Sequence, residues 1–120
     1  MRRAPADAIR TSPELALVAH ISPPVLKRAV PVALEPLDPF AEPEPSQGAS
    51  IELASGRLVV VVYGLQTEHL SLHAVWPDAA QAVDDFLRES RLDQSSIEWV
   101  DPRLPAELFA DQGRMLTTRG

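Results

Sequence analysis

Hydrophobic and polar positions follow two different rules along this chain, and the change falls near residue 50. Beyond it, apolar residues recur at the spacings of strands and helices. Before it they form short runs cut by proline, and nine of the twelve prolines precede Ser50. Ile51-Glu52-Leu53-Ala54, then Ser55-Gly56, then Arg57-Leu58-Val59-Val60-Val61-Val62-Tyr63 predict a β-hairpin whose two-residue turn has glycine second. That register sets Ile51 opposite Val60 and Leu53 opposite Leu58. Ile51, Leu53, Leu58, Val60 and Val62 then share one sheet face, and Val59, Val61 and Tyr63 share the other with Glu52 and Arg57. His69 to Val75 alternates cleanly, which predicts a third strand with Leu70, Leu72 and Ala74 pointing inward.

Pro77-Asp78 opens the strongest helical pattern, over about 77–90. Ala79, Ala82, Val83, Phe86 and Leu87 recur on one side, opposite Asp78, Gln81, Asp84, Asp85, Arg88 and Glu89. Ser96 to Val100 predicts a fourth strand, ended by Asp101-Pro102. Pro105 to Ala110 predicts a final helical turn or two with Gly113 as its stop. These elements imply the α+β class. The expected fold is a small, mostly antiparallel sheet of about four strands, in the order β-β-β-α-β, with one main helix.

The first half reads as an arm with short helices. Ser12-Pro13-Glu14 has the order of an N-cap, a first-position proline and a first-turn acid, predicting a helix over about 13–20 with Leu15, Val18 and Ala19 on one side. Ser22-Pro23-Pro24 repeats the signal ahead of Val25, Leu26, Ala29 and Val30, and Pro31 ends that helix. Both are shorter than the ~12 residues that an isolated helix needs in water. Residues 35–48, rich in proline and acid, read as a semi-rigid extended spacer. The expected organisation is an arm and linker over 1–48, a folded domain over 49–113 and a frayed tail over 114–120.

Composition narrows the function classes. The net charge of −6 is uneven: residues 1–30 carry +3, residues 31–60 carry −4 and residues 61–120 carry −5. Nucleic-acid binders usually place a basic face on the folded domain, whereas here the basic part is the tip of the arm. The chain has no cysteine, which removes disulfide staples and thiolate zinc sites. No run approaches the ~18 apolar residues of a membrane span, and the run after the basic start is broken by His20, Ser22, Pro23 and Pro24. The expectation is a soluble cytoplasmic protein.

The chemistry-bearing residues do not assemble into an enzyme signature. His69 and His73 have the spacing of a helical zinc pair, but on a strand two residues four apart stand about 13 Å from each other. Asp84, Asp85 and Glu89 fall on the polar side of the main helix, without the burial that shifts a catalytic pKa. Ser71, His73 and Asp78 supply the residue types of a triad without a nucleophile-elbow motif. No metal or cofactor is implied.

What stands out is apolar surface without a visible cover: Val59, Val61 and Tyr63 on the sheet, and Leu15, Val18, Val25, Leu26 and Val30 on the short arm helices. Those eight are the candidate partner-binding residues. The reading is a non-enzymatic protein–protein interaction module, such as an adaptor, assembly factor, inhibitor or immunity-type protein, whose arm orders on another chain or a second copy. The alternative is a small enzyme or enzyme subunit whose site is completed at an oligomer interface, with His69 or His73 contributing.

Overall fold

The computed structural model describes residues 1–5, 9, 12–37, 44–92 and 94–104. The helical turns expected at 105–110, Gly113, the tail and the middle of the spacer lie outside the described residues. In chain order the elements are β1 (Arg2–Arg3), β2 (Leu15–Ile21), α1 (Leu26–Ala29), β3 (Glu35–Pro36), β4 (Ser46–Glu52), β5 (Leu58–Gly64), β6 (Leu70–Val75), α2 (Ala79–Ser90) and β7 (Ile97–Val100). They make a small α+β fold. Among the described residues seven strands form one sheet where about four were expected, in the order β1-β4-β5-β6-β2-β7, with β3 also paired to β4. Every pairing is antiparallel.

Residues 15–21 are a strand and not the first arm helix. Ser12-Pro13-Glu14 forms a turn in which the Glu14 amide donates to Ser12 Oγ (3.3 Å) and the Leu15 amide to the Ser12 carbonyl (3.2 Å). The capping chemistry is thus present but closes a turn. The next segment, Leu-Ala-Leu-Val-Ala-His-Ile, is apolar on both alternating sets of positions, which suits a strand inside a sheet better than a one-sided helix. β2 lies between β6 and β7 and bulges at Val18, which is fully buried, as is Ile21. The second arm helix survives as the single turn of α1, with Ala29 and Val30 buried and Val25 exposed.

The hairpin register differs from expectation by one residue. The Leu53 amide donates to the Arg57 carbonyl and the Gly56 amide to the Leu53 carbonyl, both at 2.8 Å. The loop is therefore one residue longer, and Ile51 faces Val59 while Glu52 faces Leu58. Gly56 adopts φ +90°, a conformation open to glycine at little cost. A one-residue slip exchanges the two faces of a strand. Val59 and Val61, expected to lack cover, are fully buried, and Tyr63 packs partly against the same core. Val60 and Val62, expected in the core, point the other way, as does Trp99 opposite His20.

α2 supplies the cover. Its Val83, Phe86 and Leu87 are nearly or fully buried and cluster with Leu70, Leu72, Ala74, Ile51, Val59 and Val61 from the sheet. The helix forms where expected, with an exposed Asp84–Arg88 pair one turn apart (3.0 Å), and ends at Arg91 in the left-handed region, φ +52°. α1 lies against α2, so among the described residues both helices occupy one side of the sheet. The outer edge of β4 is closed by two short strands, β1 on Ile51–Glu52 and β3 on Gln47–Gly48, and an Arg3–Glu35 ion pair links them.

Because β2 joins β6 to β7, a chain beginning at residue 49 should lose cooperative thermal unfolding in calorimetry. Phe86→Ala in the full chain should retain it while costing ~3–5 kcal/mol.

Candidate functional site

The sheet face turned away from α2 is defined by the pairing. One cross-strand row runs Gly48, Val62, Ser71, His20, Trp99, and the next runs Ser50, Val60, His73, Leu17. Leu15 faces Val75 one row further on, and Leu58 lies two residues before Val60 on the same side. Val60 and Ser50 are buried, Leu15, Leu17, Leu58, Val62 and Val75 are half-buried, and Trp99 is 41% exposed. These half-buried side chains do not belong to the core beneath α2. They form a separate apolar surface with polar groups concentrated at one end.

That end is a cleft of about 210 Å³ beside the β5–β6 loop, with Val62 as its apolar wall and His20, Ser71, His69, Thr67, Ser46 and Glu44 around it. The loop is closed by a Gly64 amide bond to the His69 carbonyl (3.0 Å) and a Glu68 amide bond to the Gly64 carbonyl (2.9 Å), with Glu68 at φ +59°. Glu44, just ahead of β4, holds the loop from outside. Its Oε1 accepts the Gln66 and Thr67 amides (2.9 and 3.0 Å), and its Oε2 accepts the Thr67 hydroxyl (3.0 Å). A Cβ on Gly64 would stand 2.7 Å from the Glu44 carboxyl, so only a glycine lets the carboxylate sit there. The Thr67 amide, followed by the Gln66 amide and the Thr67 hydroxyl, lowers the Glu44 pKa against an opposing desolvation.

Two histidines complete the cleft. His20 Nδ1 lies 3.3 Å from Ser71 Oγ, and its ring meets Trp99 in a tilted contact with centroids 5.5 Å apart. His69 Nε2 is 2.9 Å from Glu98, a partly exposed pair that contributes little to stability. A hydroxyl against an imidazole is the first half of a nucleophile–base arrangement. The ring contacts of His20 found among the described residues are Ser71 and Trp99; neither is a carboxylate that would orient it as a base. His73 faces Val60 and Leu17 in the middle of the sheet, away from the cleft. Among the described residues no group of three His, Asp or Glu is placed to hold a metal ion, and no helix is long and apolar enough to cross a membrane.

A second cavity, about 400 Å³, opens at the opposite end of the sheet between the hairpin loop and the start of α2. Its cation, Arg57, is already bonded to Asp85 (2.9 Å). Past β7, Asp101 grips Arg103 in a two-pronged pair (2.7 Å at the shortest), which holds the Asp101 carboxyl below its ordinary pKa. The Arg103 guanidinium lies 4.4 Å over the Trp76 ring.

The eight residues expected to bind a partner are dispersed. Val18, Val30, Val59 and Val61 lie in the chain's own core, and Leu26 and Tyr63 pack partly against it. Leu15 is half-buried on the face opposite α2, and Val25 is 46% exposed beside α1. The cleft was not foreseen from sequence. Ser71 and His69 were legible as solvent-side positions of a strand, but His20 and Glu44 come from segments read as helix and spacer. Comparison with known proteins returns no matching family model, no matching curated protein and no matching solved structure.

Glu44 predicts a pH dependence of stability. Its folded pKa is lowered, so its contribution is present above the ordinary glutamate range and is lost as pH falls through the lowered folded value. Melting temperatures recorded from neutral to acid pH should place wild type above Glu44→Gln at neutrality. The two curves should converge in acid.

Proposed function

We propose that this chain is a non-enzymatic protein–protein interaction module, of the adaptor, assembly-factor, inhibitor or immunity type, and that it binds through the sheet face opposite α2. One observation carries the reading. α2 covers one face of the sheet, while the other presents Leu15, Leu17, Leu58, Val62, Val75 and the exposed Trp99 in adjacent rows. Apolar surface of this kind, rimmed by polar groups, favours protein contact, and tryptophan is over-represented among residues that dominate binding energy.

The charge argues for a different chain over a second copy. Two copies at −6 repel each other, whereas a partner with basic groups around an apolar patch is attracted and oriented. Leu15, a candidate from the sequence pattern, belongs to this face by its pairing with Val75. The arm, expected to order on a partner, contributes here through β2, which carries Leu15, Leu17, His20 and the contact to Trp99.

The test is quantitative capture from the native host followed by affinity measurement against the captured protein. Trp99→Ala should weaken the Kd by roughly tenfold or more, the usual scale of a binding hot spot. Arg88→Ala, on the solvent side of α2, should leave it unchanged. Equal affinity for wild type and Trp99→Ala would overturn the assignment of the face.

A further inference from the structure

We propose that the cleft at the end of the open face is a receptor for a single cationic side chain, the guanidinium or ammonium group of an arginine or lysine on the partner. This deepens the reading of that face as a protein contact and rests on it for the identity of the donor. The direction of the hydroxyl protons decides the character of the cavity. Thr67 donates its hydroxyl proton to Glu44 Oε2 (3.0 Å), and Ser46 donates its own to the Glu44 backbone carbonyl (3.0 Å). Both assignments are forced, because a carboxylate and a carbonyl only accept. Ser71 Oγ is hydrogen-bonded to His20 Nδ1 (3.3 Å).

Two hydroxyl groups therefore have their protons spent on Glu44 and keep lone pairs free. A carboxylate that its own loop keeps ionised is added to them. His69 directs its Nε2 proton at the Glu98 carboxylate (2.9 Å). A carboxylate beside two such hydroxyls suits a group that has several donors and no acceptor. Guanidinium and ammonium, with five and three donors and no acceptor, fit that description best. The cavity, about 210 Å³, has room for such a head group, and Val62 offers an apolar wall to its methylene stem. The His20–Trp99 ring pair borders the same row, and the −6 net charge draws a cation toward the molecule.

The glutamate is prepositioned, since three hydrogen bonds hold it before any ligand arrives. Fixing the acceptor in advance reduces the ordering cost of binding. Its loop-closing role uses two amides and one hydroxyl. Each carboxylate oxygen has two lone-pair sites, so capacity remains on Oε2 toward the cleft.

The experiment uses the full chain alone, so its result is separable from the identity or existence of the protein partner. N-acetyl-arginine amide and n-butylammonium are titrated into labelled protein and followed by amide and imidazole chemical shifts, with butyrate as the anionic control of like size. Saturable shifts are expected at Gly64, Thr67 and Ser71 and at the His20 and His69 rings with both cations and not with butyrate. Glu44→Gln should weaken the cation affinity by about tenfold or more, the scale of a charge-assisted hydrogen bond. Ser46→Ala leaves the loop clasp intact and should weaken it by a few-fold, which keeps the test valid if the glutamine variant unfolds. Absent shifts, equal shifts with butyrate, or unchanged cation affinity in the folded variants would overturn the assignment. If the cations bind as expected and Trp99→Ala still leaves partner capture unchanged, the cleft stands and the reading of the whole face falls.

Discussion

The structure depends on burying β2 between β6 and β7 beneath α2. β2 pairs with β6 along its length and with β7 through Ala19, His20 and Ile21, and Val18, Ala19 and Ile21 are almost entirely removed from water. A sheet built from residues 46–100 without it would leave the inner edge of β6 unpaired and β7 without a neighbour. Unpaired backbone donors and acceptors in a buried place cost about as much as lost hydrogen bonds. β2 supplies those partners and also fills the core under α2. A segment that punctuation by proline sets apart from the rest of the chain is therefore the strand on which the sheet closes.

Among the described residues α2, of twelve residues, and the short α1 lie on the same face of the sheet. The consequence is a chemical division between faces. Beneath α2 lie Ile51, Val59, Val61, Leu70 and Leu72, all fully buried. On the other side half-buried Leu15, Leu17, Leu58, Val62 and Val75 alternate with serines and histidines. Polar groups of that face gather where the β5–β6 loop meets Glu44, and the Ser46 and Thr67 hydroxyl protons there are spent on that residue. Binding chemistry and loop stability thus share one carboxylate.

Legibility in the sequence varies from element to element, for physical reasons. The α2 and β6 patterns are carried by local periodicity, and both formed where expected. The hairpin was recognised, but Ser55-Gly56 serves a two-residue or a three-residue loop equally well, and the choice between them reverses every side chain on β5. A continuous Leu-Val-Val-Val-Val run contains no polar residue to break that tie. In β2, good N-cap residues preceded an apolar run, and pairing on both flanks overrode the helical signal. The cleft joins His20, Glu44, Thr67 and Ser71, separated by up to 51 positions, and no local pattern links them.

By itself the sequence determined the class of structure: an α+β chain whose second half alternates as strands around one amphipathic helix, with acidic charge and no cysteine chemistry. Those are properties of short windows and totals, and short windows record periodicity directly. Tertiary structure decided which valines lie inside, that residues 15–21 are a strand, that β1 and β3 close the edge of β4, and that a glutamate before β4 clasps the loop after β5. Each of these is settled by pairing between distant segments. Where two local conformations are nearly equal in energy, burial and backbone hydrogen bonding across the sheet choose between them.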